Sequence, residues 1–141
     1  MIDHNNLDKQ IAIFFDSDAF GIIGASKDRD KYGNKVVRCY MQHQKTIYPI
    51  HPKEKMIEGL SCLHSVAELP NNVNSISIIT PPVITEQIVE QAIIKKIKNI
   101  WMQPGAENFK AIKSCQKHNI NIIAGGPCIL ATWGYKDAYN L

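Results

Sequence analysis

No apolar run in this chain approaches the ~20 residues needed to cross a bilayer, and residues 1–8 are polar and acidic where a signal peptide would be basic and then apolar. A soluble, cytoplasmic protein with no membrane partner is therefore expected. None of the four cysteines, Cys39, Cys62, Cys115 and Cys128, stands in a C-x-x-C pair. Their wide spacing excludes a disulfide framework and a cysteine zinc site, so no metal is expected and the thiols are read as reduced. Charge of one sign is also missing: 16 Lys plus Arg against 13 Asp plus Glu leave a net +3, too dispersed for a nucleic-acid partner but compatible with a small anionic ligand. Internal repeats, low-complexity tracts and flexible linkers are absent as well.

What is present is a chain of 141 residues, 45% apolar, enough for a single domain over 1–141 with a real core. Apolar spacing predicts a lead-in helix over 6–15, strands over 20–23, 46–50, 75–80, 99–102 and 121–124, and helices over 32–44, 83–96 and 106–118. Residues 51–70 read as irregular, with one short helix near 65–69, and the aromatic-containing tail 133–141 is expected to dock on the body or on a partner. Five short apolar strands alternating with amphipathic helices imply an α/β, Rossmann-like doubly wound five-stranded parallel sheet with helices on both faces.

In such sheets ligands lie outside the carboxyl ends of the strands, so the strand-end residues form the candidate site. They are Gly24, Ala25 and Ser26 after the first strand, His51, Pro52 and Lys53 after the second, and Thr80, Pro81 and Pro82 after the third. Gln103, Pro104 and Gly105 follow the fourth, and Pro127 and Cys128 close the loop after the fifth. Phe20-Gly21-Ile22-Ile23-Gly24-Ala25-Ser26 reads as a buried strand running into a phosphate-binding turn, with Gly24 admitting a close backbone approach and Ser26 offering a hydroxyl where a helix starts. On that reading Gly24→Val blocks the ligand and spares the fold.

An NAD site usually has Asp or Glu after the second strand, and here Lys53 stands there; Gly21 and Gly24 also fail to complete G-x-G-x-x-G. Lys53 suits a phosphate on a ribose, as in coenzyme A or a phosphorylated dinucleotide, unless it is one solvated lysine beside Lys55. Within the cluster Lys27 to Lys35, one of Lys27, Arg29 or Lys35 is expected to reach a pyrophosphate. Tyr32 and Trp101 are read as core or cleft wall. No histidine has a neighbouring acid or base that would make it a nucleophile, so no catalytic residue is assigned. His4, His43, His64 and His118 are read as surface residues, and His51 alone stands at a strand end. Cys128 is read either as a buried small residue or as a thiol brought close to a ligand thiol.

The runs Gly21-Ile22-Ile23-Gly24-Ala25-Ser26, Lys31-Tyr32-Gly33-Asn34-Lys35, Ile47-Tyr48-Pro49-Ile50-His51-Pro52-Lys53, Thr80-Pro81-Pro82, Ile100-Trp101-Met102-Gln103-Pro104-Gly105-Ala106-Glu107 and Gly126-Pro127-Cys128 together carry a resemblance. The chain resembles the small stand-alone CoA-binding domain proteins, relatives of the amino-terminal domain of the succinyl-CoA synthetase α subunit. The resemblance implies coenzyme A or an acyl-CoA as ligand. Gly24, Ala25, Ser26 and Lys53 would hold its nucleotide end, Thr80, Pro81 and Pro82 would pack on the adenine or the pantetheine arm, and Gln103, Pro104 and Gly105 would line the far side. It also implies a non-enzymatic carrier, sensor or regulatory protein, because the phosphohistidine domain and the ATP-binding subunit of the synthetase have no counterpart in these residues. An NAD(P)(H)-binding redox-sensing module and a non-catalytic subunit of an acyl-CoA ligase stand as alternatives, with a homodimer or another protein partner left open.

Overall fold

A computed structural model describes residues 6–137 of the protein. Helix α1 (Leu7–Phe15) leads into β1 (Ala19–Ile23), α2 (Tyr32–Gln42) and β2 (Thr46–Ile50). A small hairpin, β3 (Met56–Ile57) with β4 (Leu60–Ser61), and a 3-10 turn (Val66–Glu68) follow. The chain continues through β5 (Ser75–Ile78), α3 (Pro82–Lys95), β6 (Asn99–Met102), α4 (Phe109–Lys117), β7 (Asn121–Ile123) and α5 (Ile129–Trp133).

The main sheet has the order β2-β1-β5-β6-β7, and every neighbouring pair is parallel. From β1 the chain first steps outward to β2 and later crosses to the other side through β5, so the strand order reverses between β1 and β5. Two buried layers cover the sheet. One packs Val89 and Ala92 of α3 and Ala111 and Cys115 of α4 on Ile76, Ile78, Ile100 and Met102. The other packs Phe14 of α1, four residues of α2 (Val36, Val37, Cys39, Tyr40) and Ile129 of α5 on Phe20, Ile22, Trp101 and Ile123. The doubly wound Rossmann-like fold expected from the β-α alternation is the fold observed.

Local signals explain where the elements start. Pro82 opens α3, where its missing N–H costs nothing. The Asn6 side chain accepts from Lys9 N, and the Asn108 side chain from Ala111 N at 3.0 Å. The Asn108 cap starts α4 three residues after the 106 expected from periodicity, because Gly105 is left-handed at φ +94° and Ala106 N returns to Gln103 O in a turn. Strand β5 alternates Ser-Ile-Ser-Ile. Its isoleucines face α3 and α4, while Ser77 meets the Tyr40 hydroxyl and Ser75 meets Ser17 and Asn99 on the other side.

Two elements lie where none was expected: the β3–β4 hairpin inside the irregular stretch, and α5, which runs up to the first residue of the tail. Each β3 and β4 strand has two residues and α5 has five, too short to show a period. The short helix expected over 65–69 is the 3-10 turn. The tail docks on the body through residue 137: Trp133 stacks on Phe15 with ring centroids 4.3 Å apart, and Lys136 N donates to Gln42 Oε1. Residues 138–141 and His4 lie outside the described residues. Among the described residues, no helix is long and apolar enough to cross a membrane.

Candidate functional site

Three backbone segments meet at the reversal point with no room between them. Gly24 ends β1 at φ +92°, and a Cβ there would stand 2.3 Å from the carbonyl oxygen of Ile79. Gly33, in the first turn of α2, would place a Cβ 2.1 Å from the Gly24 oxygen. The two glycines thus let the β1 turn lie between β5 and the start of α2. Gly24 is required first by the packing of the chain on itself, so the expectation that Gly24→Val spares the fold is corrected.

The turn between Gly24 and α2 is built from short-range hydrogen bonds. Ser26 Oγ accepts from Asp28 N at 3.1 Å, and Asp28 Oδ1 accepts from Asp30 N at 3.0 Å. Lys31 caps α2 without a side-chain bond, so the N–H groups of Tyr32 and Gly33 have no intrahelical acceptor. They add the positive end of the helix dipole to the turn.

Around this point lies an open cavity of about 370 Å³ lined by Gly24, Ala25, Ser26, Lys31, Tyr32, Gly33, His51, Ile79, Thr80 and Pro81. It sits at the carboxyl ends of β1, β2 and β5, the place where open α/β sheets take ligands. No lining residue is acidic, and the set offers hydroxyls, a lysine and helix-end N–H groups. That donor set fits phosphate oxygens.

Six of the strand-end residues singled out from the sequence line this cavity: Gly24, Ala25, Ser26, His51, Thr80 and Pro81. Pro52 and Lys53 follow His51 on an exposed turn, and Pro82 begins α3 behind Pro81. Gln103, Pro104, Gly105, Pro127 and Cys128 occupy the same end of the sheet beyond β6 and β7, outside the lining. Gln103 is buried, and its amide is committed to the loop before α5: Oε1 accepts from Ile129 N at 2.8 Å, and Nε2 donates to Cys128 Sγ at 3.4 Å. Trp101 is buried core, with Nε1 donating to Pro127 O at 3.0 Å. Tyr32, by contrast, is cleft wall and 64% exposed.

The three cations proposed for a pyrophosphate each face a carboxylate. Lys27 is 3.5 Å from Glu54, Arg29 is 2.7 Å from Glu58, and Lys35 is 3.8 Å from Asp137. Each of the three pairs has an exposed member, and solvent screening keeps such pairs weak.

Sequence reasoning missed the polar group behind the turn. Asn34 is fully buried, with Nδ2 donating to Ser26 O at 2.9 Å and to Glu58 Oε2 at 3.1 Å. Its Oδ1 accepts from Arg38 Nε at 2.7 Å, and Arg38 Nη2 donates to Arg29 O at 2.8 Å. Asn34 and Arg38 thereby hold both ends of the phosphate-type turn from the helix side. Their i,i+4 spacing on α2 was a usable signal. Glu58 gave none, because the hairpin that delivers it could not be read.

Among the described residues, the histidines other than His51 serve local structure. His43 lies flat on Trp133 with centroids 4.5 Å apart and donates from Nε2 to Gly134 O. His118 donates from Nδ1 to Ser114 O, and His64 lies 4.0 Å from Glu68. Among the described residues, no group of three His, Cys, Asp or Glu side chains is placed to hold a metal ion.

Burial pushes the thiols of Cys39 and Cys115 up to about 12, with Cys128 adding to the effect at Cys39. Brief alkylation of the native protein near neutral pH is therefore expected to spare both and to act at the half-buried Cys62 and Cys128. Mass spectrometry before and after denaturation checks this; native labelling of Cys39 would mean that α2 opens.

The family model described as CoA binding domain matches residues 18–133. The chain belongs to the CoA binding domain family. The resemblance drawn from its strand-end motifs is thereby borne out. Among relatives, the ADP-forming acetate–CoA ligase I of Archaeoglobus fulgidus is 31% identical over 129 residues, covering 84% of this chain and 18% of that protein. Subunit alpha of the ADP-forming acetate–CoA ligase II of Pyrococcus furiosus is 28% identical over 88 residues, covering 62% of this chain and 19% of the subunit. The chain thus spans less than a fifth of the length of these curated relatives. A solved structure of a conserved hypothetical protein from Pyrococcus furiosus superposes with a TM-score of 0.77 at 32% identity, covering 81% of this chain and 97% of that one.

Proposed function

We propose that this CoA binding domain protein holds coenzyme A or an acyl-CoA in the cleft at the ends of β1, β2 and β5, as one domain and without chemistry of its own. The observation that carries the reading is the cavity itself: in a chain of this family, an acid-free cleft lies at the strand-order reversal, between a glycine turn and a helix start. The pyrophosphate rests on the turn of Gly24, Ala25 and Ser26 and on the first N–H groups of α2, with Lys31 beside it. The ribose phosphate meets Lys53, and Thr80, Pro81 and Pro82 pack on the adenine or the pantetheine arm. Gln103, Pro104, Gly105, Pro127 and Cys128 flank the path of the arm beyond the cavity, and Lys35 exchanges Asp137 for phosphate. A carrier, sensor or regulatory role is part of this proposal. The redox-sensing alternative draws no support from relatives whose names are those of CoA ligases.

Titration calorimetry of the reduced protein with CoA, dephospho-CoA, NAD and NADPH tests the reading. Binding of CoA ahead of dephospho-CoA, with little heat from NAD, is the expected result. Preference for either nicotinamide dinucleotide, or no binding of any of the four, overturns it.

A further inference from the structure

His51 stands where β2 ends, half-buried in the wall of the cleft, and its ring orientation is set by backbone. Nδ1 accepts the N–H groups of both Lys53 and Glu54, each at 2.9 Å. A ring nitrogen that accepts two N–H donors carries no proton, so the ring is neutral and its proton is on Nε2. That N–H has no partner among the described residues. His51 lines the cleft together with Ser26, Lys31 and the start of α2, and with Nδ1 committed to the turn its Nε2–H is the ring's one donor for a group bound there.

We propose that His51 is a ligand-positioning residue of this cleft, donating Nε2–H to a phosphate oxygen of the ligand as a neutral tautomer held by the turn over 51–54. The proposal rests on the CoA reading and adds to it the protonation state and atom that contact the phosphate. A histidine that binds phosphate through charge needs a proton on each nitrogen. Here a proton on Nδ1 would point at two N–H groups and break the turn that carries Lys53. His51 therefore supplies direction and Lys53 supplies charge, and the turn couples them. The flanking Glu54 is 3.5 Å from Lys27, so its carboxylate has a cation partner of its own.

Long-range proton–nitrogen spectra of the imidazoles in the full ¹⁵N-labelled chain, free and with CoA or dephospho-CoA, test this directly. The free protein is expected to show His51 protonated on Nε2 alone, and CoA is expected to shift Nε2 and its proton while Nδ1 keeps its acceptor signature. A shift with both ligands assigns the contact to the pyrophosphate, and a shift with CoA alone assigns it to the ribose phosphate; either supports the proposal. In parallel, His51→Ala is expected to weaken CoA binding roughly tenfold or more. His51→Asn should lose less, because its side-chain oxygen can take the turn N–H groups and its amide can donate. CoA binding that leaves the His51 resonances unmoved, or a doubly protonated ring in the complex, overturns the proposal and leaves the CoA reading intact. Failure of the wild-type protein to bind CoA overturns both.

Discussion

Gly33→Ala is expected to lower the unfolding free energy by about 3 kcal/mol or more and to abolish CoA binding at the same time. Alanine ordinarily stabilises a helix relative to glycine, so propensity alone predicts the opposite sign. The steric term decides the outcome. The new Cβ would lie 2.1 Å from the Gly24 oxygen and 3.3 Å from Ser26 N, both of them backbone atoms that no rotamer change can move. Nor can the turn retreat, because a Cβ on Gly24 would already be 2.3 Å from the Ile79 oxygen, which marks how closely that backbone lies on β5. Either α2 shifts away from the sheet, taking Asn34 and Arg38 off the turn, or the turn itself is displaced. Both outcomes open the cleft. Gly24→Ala meets the same collision and adds the cost of a left-handed conformation, about 1–2 kcal/mol. Urea denaturation followed by circular dichroism, with calorimetry on whatever remains folded, checks the pair. A Gly33→Ala protein as stable as wild type and still binding CoA would show that α2 and the β1 turn are not packed in this way.

The parts of this architecture that were legible in the sequence are those in which one residue type repeats or one residue has one job. Ala-Phe-Gly-Ile-Ile in β1 is apolar on both faces because both faces are covered, and it reads as a buried parallel strand without further information. Pro82 marks a helix start through chemistry confined to a single turn, whereas the Asn108 cap was passed over for a start at 106. Gly24, Ser26, His51 and Thr80 were accessible because strand ends in an open sheet fall at one edge whatever the order of strands. What could not be read depends on contacts between distant segments. Glu58 reaches Arg29 and Asn34 only because a two-residue hairpin folds back over the turn. Trp133, placed in a tail by its position, turns out to stack on Phe15 and His43. Gly33 belonged to a motif that carried the resemblance, yet its reason for being glycine is the oxygen of Gly24, nine positions back.

Lys53→Ala is expected to weaken CoA roughly 10- to 100-fold, the range given by loss of a charge-assisted hydrogen bond of about 1.5–3 kcal/mol, while changing dephospho-CoA far less. The two ligands differ only in the phosphate on the ribose, so the difference between the two losses isolates that contact. Stability should be untouched: Lys53 is exposed, and its backbone N–H, the group that donates to His51 Nδ1, is retained in alanine. The plainer possibility, a generally basic turn that attracts any anion, predicts something else. Lys55, two residues on and also exposed, would then serve as well, and Lys55→Ala would match Lys53→Ala. A general field is also screened by salt over about 8–10 Å, so its contribution fades for both ligands as ionic strength rises. A direct contact keeps the preference for CoA over dephospho-CoA at moderate salt. Equal losses for the two ligands in Lys53→Ala, or equal losses from the two lysines, would remove Lys53 from the site. The ribose phosphate would then have to be held by Lys31 or by the cations now facing Glu54, Glu58 and Asp137.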